Sequence, residues 1–228
     1  MHKILFVICT TLISFNILAQ EINKCYTTPL INKEAITNPN YLINIQNVLK
    51  QNKDWLNSNN LNSKTTLTIP IVVHIVYRQT HANIGVGTNI PTDQIEDGLR
   101  ILNEDYSKTN SEFPNPPRNT FLNVSGNPDL QFCLATTDPN GNPTTGITRT
   151  ATSKTSFDYS SESNDMKRDN TGGVEGWPPS DYLNIWICDI ASSGGTTVLG
   201  YAYLPGLPSW YAWKDGLVVD FQHFGTNG

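Results

Sequence analysis

Apolar and polar positions change rhythm several times along this chain. Ile4 to Leu18 is apolar, interrupted only by Thr10, Thr11, Ser14 and Asn16, and asparagine-rich polar sequence follows as far as residue 66. One helical signal lies inside that polar stretch. Asn38 stands where a cap belongs, Pro39 takes the first helical position, and Tyr41, Ile45, Val48, Leu49 and Leu56 share a face. The run TIPIVVHIVY (68–77) is continuously apolar and β-branched, the mark of a strand covered on both faces. From Pro91 the period becomes 3.6. Asp93 and Glu96 make a start resembling a capping box, and Ile95, Leu99, Leu102 and Tyr106 form the apolar stripe. Residues 107–128 read as a Pro-rich loop, DLQFCLAT (129–136) as a second strand, and DPNGNPTTG (138–146) as dense turn chemistry. After an irregular stretch over 147–181, YLNIWICDI (182–190), VLGYAYLP (198–205) and DGLVVDFQ (215–222) read as three closing strands. A helix between the first two strands, with further strands after them, predicts an α+β fold with a mixed sheet.

Composition narrows the field. With 228 residues, 15% of them charged and a net charge of -5, the chain suits one domain with appendages. No basic stripe exists to neutralise phosphates, which excludes nucleic acid as a partner. Lys3, the apolar run and the small residue Ala19 read as a secretory signal over 1–19, with a retained membrane anchor as the alternative. No membrane contact is expected once the signal is removed. Cys9 leaves with it, so Cys25, Cys133 and Cys188 remain, an odd number for an oxidising compartment. Cys133 and Cys188 each end a strand-like run and are the expected disulfide. Cys25 is then left over.

Candidate chemistry is sparse. The chain has no G-x-S-x-G elbow, no phosphate-binding glycine loop and no H-x-x-x-H pair on a helix. His74, inside the buried strand, reads as a core histidine, and His81 as a solvated loop residue. His223 follows the last strand without a partner four residues on. Asp138, Asn140 and Asn142 alternate as calcium-loop ligands do, but Pro143 stands where the sharp turn needs Gly, so a β-turn is the better reading. Trp210, Tyr211 and Trp213, with Tyr201 and Tyr203 nearby, would either line a carbohydrate or peptide groove or pack as core.

Taken in order, TIPIVVHIVY, IPTDQIEDGLRILNEDYSKTN, DLQFCLATTDPNGNPTTGITRT, GGVEGWPPSDYLNIWICDI, LGYAYLP and DGLVVDFQHFGT resemble the pappalysin family of secreted metzincin metallopeptidases, of the bacterial cytophagalysin and ulilysin type. The likeness covers roughly residues 67–226. It implies the upper subdomain of a metzincin, a mixed, twisted five-stranded sheet with a backing helix. It places Leu199, Gly200, Tyr201, Ala202 and Tyr203 on an edge strand that pairs with an extended peptide substrate. It also implies zinc, with calcium possible. The family's H-E-x-x-H-x-x-G-x-x-H helix, which holds the metal and the general base, would follow beyond residue 228, so no catalytic residue is assigned within this chain. Leu217 and Val219 would then lack cover on one face. Residues 20–66 would be a pro-segment and linker, and 67–228 the truncated catalytic subdomain. In KCYTT (24–28), Cys25 stands where relatives carry a Cys-Gly-Thr motif, with Tyr26 replacing Gly. As a latency ligand on zinc it would keep a precursor silent, with activation by a cut in the 58–66 linker, Lys64 being the candidate site. The expectation is a secreted, monomeric zinc metalloendopeptidase precursor acting on protein or peptide. The alternative is a non-catalytic secreted peptide- or carbohydrate-binding module.

Overall fold

The computed structural model describes residues 24–58, 66–111, 113, 124–191 and 197–226. The signal over 1–19, with His2 and Cys9, and the 59–65 stretch with Lys64 lie outside the described residues. At the centre is strand β1 (Leu67–Arg78), whose residues Ile71 to Val76 are all buried. Such a run can rest only where both faces are roofed. β5 (Leu183–Cys188) pairs with it in parallel on one side, from Ile71 opposite Leu183 to Ile75 opposite Ile187. On the other side two strands share the length of β1. β2 (Leu130–Leu134) covers Leu67 to Ile71, and β3 (Ile147–Thr152) covers Val73 to Arg78. Between them the chain leaves the sheet for one turn and comes back at Gly146, whose φ of +72° and close approach to the Ala135 amide require glycine. The sequence reading placed β3 inside an irregular stretch. Its ITRTAT has only one fully buried position, so apolar periodicity gave no signal.

β8 (Leu217–Asp220) pairs in parallel with β5, and β7 (Gly200–Ala202) lies antiparallel on β8 at the sheet edge, giving the order β2-β1-β5-β8-β7. The expected α+β architecture, a mixed sheet with a backing helix, is therefore present, with β3 as an added strand. A small parallel pair joins β4 (Phe157–Asp158) to β6 (Ile190–Ala191). Helix α3 (Thr92–Ser107) crosses one face. Ile95 and Leu99 pack there with Ile71, Val73, Ile75, Ile185 and Ile187, and Tyr106 meets Phe132 edge-on at 5.0 Å. The expected Asp93 cap is absent, because Pro91 holds the cap position with no side-chain hydrogen bond. Asp93 instead faces the helix N-terminal dipole. Asn103 clamps the outer edge of β2, accepting from Phe132 N at 2.8 Å and donating to Phe132 O at 2.9 Å.

The opposite face is roofed by a second apolar cluster, to which the N-terminus contributes four buried side chains. α1 (Thr27–Thr37) contributes Leu30 and Ile31, and α2 (Asn40–Ser58) contributes Tyr41 and Ile45. Only α2 was foreseen, since α1 has too weak a periodic pattern to announce itself. Asn38 ends α1 rather than capping α2 with its side chain: its N–H donates to Glu34 O at 2.8 Å. The predicted α2 face is buried only at its start, for Leu49 and Leu56 are 56% and 52% exposed where the helix runs beyond the sheet.

His74 is a core histidine, as expected. It stacks on Trp186 at 5.2 Å, and its ring nitrogens meet Thr148 Oγ1 at 2.8 Å and Asn184 Oδ1 at 3.0 Å. Asn184 Nδ2 donates to Trp177 O, which fixes its Oδ1 as an acceptor, so His74 Nε2 carries the proton and Nδ1 accepts from the Thr148 hydroxyl. Burial draws the His74 pKa down from 6.5 to about 4. The protein is stabilised by this neutral ring fully above pH 6.5 and loses that contribution as pH falls toward 4, a difference on the order of 3 kcal/mol. Chemical denaturation across pH 4–7 should show this slope, and His74→Gln should flatten it.

The expected Cys133–Cys188 disulfide is not formed: Cys25, Cys133 and Cys188 are all free thiols. Register explains why. Cys133 on β2 sits opposite Pro70 of β1, while Cys188 on β5 lies one step past the Ile75–Ile187 pair, on the other side of β1. Six residues along a strand is roughly 20 Å, well beyond the reach of a bridge. Cys133→Ala should therefore leave the melting temperature unchanged under oxidising and reducing conditions alike, whereas loss of a true disulfide would cost about 2–5 kcal/mol.

Candidate functional site

An edge strand offers unpaired backbone groups, and on β7 these are taken up by the first described residues of the same chain. Lys24 O accepts from Leu199 N at 3.0 Å, Tyr26 N donates to Gly200 O at 3.1 Å, and Cys25 stands opposite Gly200 in a parallel bridge. The Thr27 hydroxyl accepts from Ala202 N at 3.1 Å, continuing the pairing with a side chain where α1 begins. Of the five residues expected on this edge, Gly200 to Ala202 form the strand and Leu199 and Tyr203 flank it. Tyr201 and Tyr203 turn inward and are buried, with Tyr201 donating to Ser163 O at 3.1 Å. They serve the core rather than an open groove.

Tyr26 anchors the added segment. Its ring lies 4.7 Å from Tyr159 and 6.2 Å from Tyr201, both edge-on. Farther along, the Tyr41 hydroxyl donates to Leu204 O at 2.8 Å, and burial pushes its pKa up to about 12. Asn44 Nδ2 donates to Gly206 O at 3.0 Å. The N-terminal segment thus follows the rim from Leu199 to Gly206. Cys25 itself is exposed, its thiol 3.3 Å from Thr27 Oγ1.

The remaining expected residues lie apart from this edge. His81 is not simply solvated, since its Nδ1 meets Thr88 N and Thr88 Oγ1, each at 3.1 Å. His223 pairs with Asp220 at 3.1 Å, and Asp220 also accepts from the Ile190 and Gln222 amides. Asp138 accepts from the Asn140 and Asn142 amides at 2.9 and 2.8 Å, the bonding of a tight turn. Trp210 is 71% exposed, but Trp213 stacks on Arg168 and Tyr211 on Lys214, so the aromatics do not form a flat platform. Leu217 and Val219 are half-buried and line a groove of about 340 Å³ beneath α3, together with Ile71, Leu99, Leu102 and Leu134. Among the described residues no three His, Cys, Asp or Glu side chains converge to hold a metal ion, and no helix is long and apolar enough to cross a membrane.

No family model matches the chain, and no curated protein matches it. Solved structures do. The chain is 36% identical to a promirolysin variant of Tannerella forsythia, covering 90% of this chain and 62% of that one with a TM-score of 0.71. It is 39% identical to mature Tannerella forsythia mirolysin in complex with a cleaved peptide, over 73% of this chain and 57% of that one, TM-score 0.63. A mirolysin complex with a small compound gives 38% identity over 73% and 56%, TM-score 0.62. The chain thus spans less than two thirds of the length of these relatives.

Leu30, on the inner face of the docked segment, is 1% exposed. Leu30→Ala should cost about 2–5 kcal/mol of docking stability and speed hydrogen exchange at the Leu199 and Ala202 amides, with β1 amides unaffected. At 36–39% identity and TM-scores of 0.63 and 0.71, this chain has the metzincin-like protease fold of mirolysin and promirolysin.

Proposed function

We propose that this chain is the N-terminal portion of a secreted zinc metalloendopeptidase precursor of the pappalysin family, with residues 20–66 as pro-segment and linker and 67–228 as the upper part of the catalytic domain. The observation that carries this reading is the strand added to β7 by residues 24–26: a segment of the chain itself occupies the edge where an extended peptide would pair. The promirolysin match adds support. It extends over 90% of the chain against 73% for mature mirolysin, a gain of about 39 residues, close to the length of the docked N-terminal segment. Mirolysin with a cleaved peptide points to a peptide substrate. The resemblance further suggests a monomer in the extracellular space, released by the 1–19 signal.

Among the described residues no side chains converge on a zinc site, and its ligands would come from a helix beyond residue 228. Within this chain only Cys25 is offered to the metal, as a latency ligand: it is exposed, free and held beside the rim by the pairing of Lys24 and Tyr26. Tyr26 replaces the Gly of relatives and gains the Tyr159 contact in return. Calcium, if used, would bind in the same absent part. The reading as a non-catalytic carbohydrate-binding module finds no aromatic platform to rest on.

The whole gene product, carried through the downstream helix, tests this. The wild-type precursor should be silent, and cleavage within 59–65 should release peptidase activity that a zinc chelator abolishes. Cys25→Ala should shorten the latent phase by tenfold or more. A mutant precursor as silent as wild type would remove the switch, and processed protein without chelator-sensitive proteolysis would remove the peptidase.

A further inference from the structure

Helix α1 of the docked segment is held to the body by a buried ion pair. Glu34 of α1 is 5% exposed, and its Oε2 lies 2.6 Å from Lys214 Nζ, on a side chain 12% exposed. The ammonium sits 3.8 Å from the Tyr211 ring centroid, with Tyr203 and Trp213 at 5.8 and 5.7 Å. Below it, fully buried Lys167 donates to the Lys214 carbonyl and lies 4.8 Å over Trp186. Glu34 Oε1, by contrast, is buried without a hydrogen-bond partner among the described residues. An apolar residue would seat α1 at least as well as a half-satisfied carboxylate, so the acid is not explained by helix docking alone.

Ownership of the groups is uneven. Glu34 belongs to the segment that covers β7, while Lys214, Lys167 and the three rings belong to the sheet-bearing body. Tyr203 follows β7 directly, so an extended peptide paired along Gly200–Ala202 would pass this cation within a residue or two. We infer that Lys214, walled by Tyr203, Tyr211 and Trp213, is a pocket for a carboxylate side chain of the bound peptide, and that Glu34 fills it in the precursor. This rests on reading β7 as the peptide-pairing edge. A desolvated cation facing an aromatic wall favours an acid over its amide, because a neutral side chain would leave the ammonium buried and uncompensated.

The test uses the whole chain cut once between residues 59 and 65, with native mass spectrometry counting release of the N-terminal fragment. Competitors are nine-residue peptides, acetylated and amidated, with a single Glu walked through a neutral frame and Gln counterparts at each position. At one register the Glu peptide should release the fragment at about tenfold lower concentration than its Gln twin. Lys214→Met should abolish that gap and Lys214→Arg should keep it. Tyr211→Leu, which leaves the lysine in place, should narrow it. Glu34→Gln should loosen the fragment toward every peptide. Equal competition by Glu and Gln at all registers, or a gap that survives Lys214→Met, overturns the pocket. In a second series left unamidated at the C-terminus, Gln peptides that release the fragment as well as the Glu peptide does overturn the side-chain assignment. Failure of every peptide to displace the fragment removes the peptide-pairing role of β7, and this inference with it.

Discussion

A parallel strand whose side chains are buried on both faces cannot exist in a single-layer roof, and β1 imposes that constraint on everything around it. Ile71, Val73 and Ile75 demand cover from one direction, and α3 supplies it. Val76, with Trp186 and Cys188 of neighbouring β5, faces the other direction, where helices are lacking in the body of the sheet. The N-terminal helices complete that second roof, and Tyr41 and Leu30 are as deeply buried as any side chain of the sheet. The docked segment therefore shares buried side chains with the second apolar cluster, most of which the rest of the chain supplies.

The two edges of the sheet are contacted by different means. On the β2 side a single asparagine, Asn103, satisfies one backbone pair from the flank of α3. On the β7 side the closure is a short strand, fixed by the Tyr26 ring and by the buried Glu34–Lys214 pair of the helix that follows. The first closure belongs to the framework. The second is made of residues joined to the framework by a short stretch of chain, and so is the one that can be withdrawn.

The strong periodicities were legible: β1 by its β-branched run, α3 by its 3.6-residue stripe, β2, β5 and β8 by short apolar segments between turn residues. What stayed hidden shares a physical cause. β3 earns its place by completing hydrogen bonds along β1, which backbone groups supply whatever the side chains are. Helix α1 is held by tertiary burial of Leu30, Ile31 and Glu34, with little periodic signal of its own. The disulfide expectation failed because two strand ends that look alike in sequence fall on opposite sides of β1. Lys24 to Thr27 carry no sequence mark of strand pairing, since Gly200 supplies the partner groups from far down the chain. Likewise Glu34 and Lys214 meet across 180 positions, and neither is distinguishable from a surface charge until the fold joins them.

Because residues 24–58 and β1 belong to one chain, the pairing of Tyr26 with Gly200 is an intramolecular event. A tether of a few residues sustains an effective concentration in the millimolar range, against which few peptides in solution compete. One break in that tether changes the order of the reaction. The same hydrogen bonds and the same buried rings then hold a separate molecule, whose residence depends on dilution. Loss of a single peptide bond thus converts a conformational equilibrium into a binding equilibrium, with no contact at the rim altered.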